Sequence, residues 1–520
     1  MEVFNQESRG KNAIKASTVG ALSNVVKILI GFAYRTIFLY VLSADYLGLN
    51  GLFTNILQVL SLAELGVTTA ITFRFYKPIN DNDVQKVGEL MNFFKWVYRI
   101  IALVILVAGL IILPFVKGLV NNPDEIPGDV NIYVIFVLFL INTLSTYVFS
   151  YKLTLLNADQ KADKFSLINT AIYFAMNAVQ IIVLLISRNY TATLIAGIIA
   201  TLLTNFIFSE IVKRRYMPVF KVKEMLPKEE RKVIFKDTRA TMYHKIGTVV
   251  VTSTDSIVLS KFVSLIATGI YSNYSLIIVN VQNVISQFLG NFVSSLGNAR
   301  LNQDKDTYYE LYKKMNFMGL WVAACISVCL YFLIDDFIYM WLGGDYLFSK
   351  LTTIMLCLQF FLSVSRAING SFTNATGLFV KDRIRPLIEA AVNLGVSIWL
   401  VLEIGIAGVF IGTVVSTIVT VSWREPLILY RYEFKGKKIS DYWKTYFSFL
   451  AITALSCVVF DVLKTYVLGY TMTWPALIIE AIVSFALINL ILALIFKKRD
   501  EFEFFKSVIK KVTGKLKKKG

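Results

Sequence analysis

Basic side chains occur in this sequence where an apolar helix would normally carry none. The stretch from Lys15 to Leu42 is long enough to cross a bilayer, which takes about 20 residues, yet it contains Lys27 and Arg35. A charge at that depth costs about 2.5–3.5 kcal/mol on insertion scales, so it must face protein or water. Small and polar residues recur three or four apart: Ser17, Gly20, Asn24, Lys27, Gly31 and Arg35. This spacing predicts a helix with a cationic inner stripe.

Further basic residues fall within other apolar segments or near their ends: Arg74, Lys245 and Arg366. One interpretation pairs each cation with a carboxylate, for example Lys27 with Glu64 or Lys245 with Asp255. The other interpretation is a cationic cavity for an anionic substrate. Arg suits a phosphate because its planar fork presents several donors, and Lys suits it as a point charge. The residues themselves leave both interpretations open.

Uncharged polar residues form stripes on the same and neighbouring helices. Hydrogen bonds between membrane helices are one explanation for such stripes. The richest stripes, however, fall on the first two spans of each half of an internal repeat, which favours the lining of a hydrated cleft. The predicted lining residues are Asn24, Gln58, Glu64, His244, Asn280, Asn283, Gln287 and Asn291.

The composition predicts what holds these residues in place. The chain has 520 residues, of which 56% are hydrophobic and 17% charged, whereas a soluble protein has about 25% charged residues. Long apolar runs recur throughout and predict an all-α polytopic membrane protein. We expect about fourteen spans, at about 15–42, 46–75, 92–116, 131–156, 165–187, 191–212, 239–262, 268–295, 315–338, 350–378, 386–403, 405–430, 442–463 and 474–496. The prolines fall at or near span ends, so we expect continuous helices.

The distribution of Lys and Arg predicts the orientation. The net charge of +18 is concentrated in segments on one side of the predicted membrane, which are therefore cytoplasmic. Those segments are 213–236, 380–385, 431–438 and the tail from Lys497. Both termini are then cytoplasmic. Because the excess charge lies in loops between spans, it does not indicate nucleic-acid binding.

An internal repeat predicts the domain organisation. Gly48 matches Gly269, and Asn157 matches Asn374, in the same order in each half. The repeat predicts two six-helix lobes related by a parallel pseudo-twofold axis, followed by two more helices. The predicted boundaries are a cytoplasmic segment 1–14, a first lobe 15–212, a basic linker 213–238, a second lobe 239–430, two additional helices 431–496, and a basic amphipathic tail 497–520 that contacts anionic lipid.

Catalytic and cofactor motifs are absent from the sequence. It has no Gly-rich phosphate loop and no Ser/His/Asp set, and a single His and four Cys inside apolar segments do not suggest a metal centre. The Cys residues are predicted to pack. We therefore expect neither an enzyme nor a bound cofactor. A membrane-embedded polysaccharide polymerase or ligase would need a sizeable outside loop, and the longest such segment has about 15 residues.

Two long stretches carry a resemblance to a known family. Residues 35–71, RTIFLYVLSADYLGLNGLFTNILQVLSLAELGVTTAI, and residues 244–278 resemble bacterial polysaccharide flippases of the Wzx type. These belong to the multidrug/oligosaccharidyl-lipid/polysaccharide exporter superfamily. The resemblance implies a MATE-like fold in the bacterial plasma membrane. It also implies alternating-access flipping of an undecaprenyl-pyrophosphate-linked oligosaccharide, for a capsule, an exopolysaccharide or a similar polymer, from the inner to the outer leaflet.

The same resemblance implies roles for particular residues. Lys27, Arg35 and Arg74 match basic residues that meet the pyrophosphate, and we add Lys245 and Arg366 as further candidates. The nearest matches to a cation site, for coupling to Na⁺ or H⁺, are Asp255, Asn393 and Thr413. Implied partners are the lipid-linked oligosaccharide, a polysaccharide polymerase and glycosyltransferases.

Fourteen spans also resemble the peptidoglycan-precursor flippases of the superfamily. A flippase for a peptidoglycan or teichoic acid precursor is therefore an alternative. A multidrug or metabolite antiporter of the same fold is another. It would prefer an anionic or aromatic cavity, whereas this one is predicted to be cationic.

Overall fold

The structure is a computed structural model that describes residues 9–64, 67–159, 162–302, 304–468 and 473–517. All regular secondary structure within these ranges is helical. The chain divides into two compact units, residues 1–269 and 270–520. The division falls inside one long helix, whereas the repeat starts the predicted second lobe at residue 239. The lobe boundaries derived from the repeat stay a prediction.

Unit 1 contains nine helices and the start of a tenth in its described residues. In chain order they are α1 (Arg9–Val41), α2 (Ala44–Leu60), α3 (Val67–Asn80), α4 (Val84–Ile112), α5 (Ile132–Ala158), α6 (Ala162–Ser187), α7 (Tyr190–Arg215), α8 (Met217–Lys221), α9 (Lys228–Phe262) and α10 (Leu265–Asn302). Aromatic side chains fill the core, where Phe53 of α2 meets Phe136 and Phe139 of α5 edge-on.

Unit 2 contains the rest of α10 and nine further described helices. They are α11 (Lys305–Leu342), α12 (Lys350–Ser365), α13 (Ala367–Ala375), α14 (Arg385–Ile404), α15 (Ile406–Ser416), α16 (Trp423–Tyr432), α17 (Ile439–Leu463), α18 (Trp474–Phe496) and α19 (Asp500–Lys517). Asp304 caps α11 by accepting hydrogen bonds from the hydroxyl and amide of Thr307. These bonds hold the pKa of Asp304 below its usual value.

The predicted fold class is confirmed. In the described residues, eleven helical segments are long and apolar enough to cross a membrane, and each coincides with one predicted span. The other three predicted spans lie in α2 and α3, in α9 and in α10. α2 and α3 have 17 and 14 residues and are shorter than a full span, and α9 and α10 carry rich polar stripes.

The expectation of continuous helices is wrong for two spans, and a third changes from α-helical to π-helical geometry without interruption. A 3₁₀ turn at Ser61–Glu64 ends α2, Arg366 separates α12 from α13, and a π-helical turn at Thr417–Ser422 joins α15 to α16. Pro426 also lies inside α16. Hydropathy follows side-chain polarity and is insensitive to how backbone groups pair, which is why the breaks were not predicted. Discontinuous helices place backbone and polar groups at membrane depth only where protein or water satisfies them.

The start of α10 crosses the start of α2 in unit 1 at very close range. A Cβ atom added to Gly48 would lie 2.0 Å from the carbonyl oxygen of Leu265, and one added to Gly269 would lie 2.1 Å from that of Ala44. Small residues permit such an approach between membrane helices. Gly48 and Gly269, which the sequence repeat aligns, therefore lie at the same crossing of α2 and α10.

We expect Gly48→Ala to lower stability and Gly51→Ala to raise it slightly. At Gly51 the nearest atom to an added Cβ is Thr268 Cγ2 at 3.5 Å, an ordinary contact. Overpacking at Gly48 should cost about 1–3 kcal/mol, whereas Gly51→Ala gains about 0.5–1 kcal/mol of helix propensity. Thermal unfolding of both variants in detergent measures the difference. Equal midpoints would contradict the close crossing.

The two C-terminal helices and the tail pack on α11. Phe317 of α11 contacts Phe449 of α17 and Phe496 of α18 at 5.2 and 5.4 Å between ring centroids. Trp321 donates a hydrogen bond of 2.9 Å to Asn489 of α18 and stacks on Phe502 of α19. The tail is therefore anchored on a protein surface, and its lipid contact stays a prediction.

The four cysteines are unpaired and lie in this part of the chain. Asn489 of α18 donates to the Cys325 sulfur at 3.0 Å. The Ser484 hydroxyl, also on α18, lies 3.9 Å from the Cys329 sulfur. Both sulfurs of α11 therefore face α18, and the packing role of the cysteines stays a prediction.

Candidate functional site

The cations of the first helix lie beside α6. α1 packs along α6, and Lys27 Nζ lies 5.9 Å from the ring centroid of Tyr173. Lys27 and Arg35 are both half-buried. Arg74 is half-buried on α3. The structure thus places the three basic residues that the family resemblance singles out in one unit, on two helices, with side chains neither fully enclosed nor fully exposed.

Glu64 lies among hydroxyl groups. Tyr98 of α4 donates to one carboxylate oxygen at 2.9 Å, and Tyr147 of α5 donates to the other at 2.8 Å. Thr68 adds a bond of 3.0 Å. Lys27 and Glu64 do not form an ion pair with each other in the described part of the chain. Neutral donors therefore stabilise the carboxylate, and the positive charge of Lys27 is not cancelled by it.

Arg366 lies in a different electrostatic setting. Its Nη1 atom is 3.4 Å from Glu425 of α16, and Arg385 Nη2 is 3.6 Å from the same Glu425 oxygen. Arg385 also binds Asp382 at 2.6 Å and Glu389 at 2.7 Å. Arg424 contacts the second oxygen of Asp382 at 2.9 Å. We call these six side chains the arginine cluster: Arg366, Asp382, Arg385, Glu389, Arg424 and Glu425.

The arginine cluster has no excess of positive charge. Its three guanidinium groups face three carboxylates, and Asp382, Arg385 and Glu389 are each more than 90% buried. A buried arginine needs such partners because an isolated charge in a low-dielectric interior is strongly unfavourable. The geometry of Arg366 therefore favours the pairing interpretation at this residue. Its proposed contact with a pyrophosphate stays a prediction.

Four of the predicted lining residues are exposed within helices: Asn24, Gln58, Asn283 and Gln287. Asn280 is half-buried and donates to its own helix at the Leu276 carbonyl. In hydrocarbon, an exposed amide would have no partner, so these side chains require water or a polar ligand. The side chains of His244, Lys245 and Asn291 lie outside the described residues.

The candidate cation site is divided between the units. Asn393 of α14 donates to Thr413 of α15 at 2.9 Å, and both are buried in unit 2. Asp255 is buried on α9 in unit 1. Among the described residues, no three His, Cys, Asp or Glu side chains are grouped as metal ligands. The cation site stays a prediction.

Sequence reasoning missed a second charged cluster in unit 2. Lys464, at the end of α17, contacts Asp336 of α11 and lies 3.9 Å from Glu480 of α18. All three are buried. A Lys directly after one predicted span and a Glu inside the next were the signal for it, but their partner on a distant helix could not be identified from spacing along the chain.

Comparison with known proteins identifies the fold but no family. No family model and no curated protein sequence matches the chain. Solved structures do match. One is "Lipid II flippase MurJ, inward closed conformation", with a TM-score of 0.64 and 15% identity, covering 92% of this chain and 99% of that one.

Two transporters of the MOP superfamily match as well. An inward-facing multidrug resistance MATE family transporter has a TM-score of 0.58 and 13% identity, covering 79% of this chain and 98% of its own. A transporter from Pyrococcus furiosus, described by the reverse polarity of its binding pocket, has a TM-score of 0.51 and 13% identity, with coverages of 82% and 99%.

The chain has the MurJ/MATE fold. The similarity extends over most of the chain, while the identity is low enough that fold is all it establishes. Together with the eleven apolar helices, it makes this a multi-pass membrane protein. The three solved structures are described as a flippase and two transporters.

Proposed function

We propose that this protein is a flippase for a polyprenyl-pyrophosphate-linked oligosaccharide in the bacterial plasma membrane. The observation that carries the proposal is the extent of the match to a lipid II flippase, 92% of the chain, against 79% and 82% for the two transporters. A lipid II flippase moves a lipid-linked precursor, which is the substrate class that the sequence resemblance implies. Both termini would be cytoplasmic, and polysaccharide polymerase and glycosyltransferases would act with it.

The chemistry of unit 1 supports an anionic headgroup. Lys27 and Arg35 carry positive charge within a predicted span, and Arg74 lies near the end of another. Glu64 is held by tyrosine hydroxyls instead of Lys27. The pyrophosphate would meet these cations, and the exposed amides Asn24 and Gln58 would contact sugar hydroxyls. Such charges at membrane depth are typical of substrate pathways.

Reconstitution tests the proposal directly. The purified protein is placed in vesicles with a fluorescent undecaprenyl-pyrophosphate oligosaccharide, and a lectin or periodate added outside measures the accessible fraction. We expect accessibility to rise with time in protein-containing vesicles only. Lipid II and a teichoic acid precursor serve as alternative substrates. Collapse of Na⁺ and H⁺ gradients tests the proposed coupling. No movement of any polyprenyl-linked sugar would reject the flippase.

Charge removal at the first helix should reduce the flipping rate strongly. Each charge-assisted hydrogen bond to the pyrophosphate is worth about 1.5–3 kcal/mol, so Lys27→Gln and Arg35→Gln should each slow flipping by about tenfold or more. Lys77→Gln is the matched control, since Lys77 is exposed at the end of α3. Equal rates for all three variants at equal protein levels would assign Lys27 and Arg35 a packing role.

A multidrug or metabolite antiporter is the second candidate. The fold match to a multidrug transporter favours it, while the cationic residues of α1 and α3 argue against cationic drugs as substrates. Efflux of a cationic dye from vesicles, driven by an ion gradient and unaffected by lipid-linked sugars, would support the antiporter over the flippase.

A further inference from the structure

A second site in unit 2 has its own chemistry. A cavity of about 280 Å³ lies among α11, α16, α17 and the start of α19. Tyr430, Tyr442 and Arg499 line it, and each stands at or just beyond the end of a predicted span. The Lys and Arg distribution places all three ends on the cytoplasmic face. Tyrosines at this depth are typical of the zone where phospholipid headgroups lie.

The charges around the cavity are of both signs. Lys313, Lys444 and Arg499 contribute three cations, and Asp441 and Glu501 contribute two carboxylates. In a chain with a net charge of +18, the carboxylates are the unusual members of this set. A purely anionic ligand would be repelled by them. A ligand with a negative and a positive group a few bonds apart would match both kinds of side chain.

Asn316 points to the positive half of such a ligand. It lines the cavity and is only 4% exposed, and its Oδ1 atom is buried without a hydrogen-bond partner among the described residues. An unpaired buried acceptor is unfavourable and requires an N–H or O–H donor. The neighbouring hydroxyls of Tyr312 and Tyr442 are engaged by Asn369. Their aromatic rings remain part of the wall, and aromatic faces attract ammonium groups.

Arg499 provides the negative half with a suitable partner. One of its guanidinium nitrogens donates to Thr445 at 3.0 Å, and the side chain lies over the ring of Phe496. A guanidinium has five N–H donors, so this described contact uses a small part of its capacity. Lys444 is exposed on α17. Arg499 offers a phosphate a planar fork of donors, and Lys444 offers it a point charge.

We propose that this cavity binds the phosphoethanolamine headgroup of a membrane phospholipid. The phosphate contacts Arg499 and Lys444, and the ammonium donates to Asn316 Oδ1 and faces the carboxylate of Glu501. The cavity volume is at the lower end of small-molecule sites, which are roughly 300–1,000 Å³. That suits a headgroup whose acyl chains stay in the bilayer. The bound lipid contacts both α17 and α19. This site is independent of the transport proposal.

Binding to the delipidated full-length protein tests the headgroup. Native mass spectrometry compares phosphatidylethanolamine with phosphatidylcholine of the same acyl chains. We expect phosphatidylethanolamine to bind about tenfold more tightly, because trimethylation removes every N–H donor for Asn316. Equal affinity for the two lipids would overturn the assignment. Free phosphoethanolamine is the third probe, and binding as tight as that of the lipid would identify a soluble ligand and reject a membrane lipid.

Two variants separate the two halves of the headgroup. Arg499→Gln should weaken both lipids by about tenfold, because both contain a phosphate, whereas Asn316→Leu should abolish the preference for phosphatidylethanolamine. Lys498→Gln is the matched control, since Lys498 is exposed beside the cavity without lining it. Thermal unfolding midpoints identify any variant that is misfolded. Unchanged lipid preference in a folded Asn316→Leu protein, or equal losses in Lys498→Gln, would overturn the proposal.

Discussion

Arg385→Met is expected to lower the free energy of unfolding by about 3–5 kcal/mol, because it removes the buried cation that Asp382 and Glu389 share. Arg385 is 7% exposed and lies at the centre of the arginine cluster, where it binds Asp382 and Glu389. Methionine fills a similar volume, so the loss measures charge compensation and not packing. Denaturation of the detergent-solubilised protein with SDS, followed by circular dichroism, gives the change.

Arg424→Gln is the matched control for this prediction. Arg424 binds the same Asp382, but its side chain is 41% exposed. Water can replace it, so its loss should cost about 0–1 kcal/mol, as for a surface ion pair. If Arg385→Met were no more destabilising than Arg424→Gln, the cluster would not be a buried charge network. Arg366 would then become the stronger candidate for binding substrate.

Lys464→Met should detach the two C-terminal helices from α11. The Lys464 side chain is 9% exposed and lies between Asp336 and Glu480, which are 12% and 10% exposed. Its removal leaves two buried carboxylates on adjacent helices. The expected loss is again about 3–5 kcal/mol, together with faster proteolysis between α17 and α18. A Lys464→Met, Asp336→Asn double variant should regain part of it, since neighbouring residues couple.

Lys350→Met provides the comparison for Lys464. Lys350 binds Asp461 at 2.9 Å on the same side of unit 2, but the two side chains are 51% and 45% exposed. Solvent screening limits such a pair to about 0–1 kcal/mol. Equal losses for Lys350→Met and Lys464→Met would show that Lys464 does not hold the helices. A loss confined to Lys464 would confirm that burial decides the effect.

The two charged clusters of unit 2 show where prediction from sequence stops. The i, i+4 spacing of Arg385 and Glu389 is readable along the chain, but Glu425 reaches Arg385 from a helix 40 positions later. Lys464 and Asp336 are 128 positions apart. Pairing across such separations depends on how the helices pack, and no local pattern encodes it. The choice between pairing Lys27 with Glu64 and leaving it unpaired with Glu64 was open for the same reason, and tyrosines from α4 and α5 reach Glu64 instead.

The amino-acid sequence by itself determined the fold class and the approximate bounds of the eleven apolar helices. It did so because membrane insertion depends on apolar length, and the sequence displays that quantity directly. It also indicated which helices carry charge at membrane depth, Lys27 and Arg35 on α1 above all. Only the tertiary structure decided which charges are paired, where helices break, and that the tail packs against Trp321. Those outcomes depend on contacts between distant segments, where burial sets the strength of each interaction.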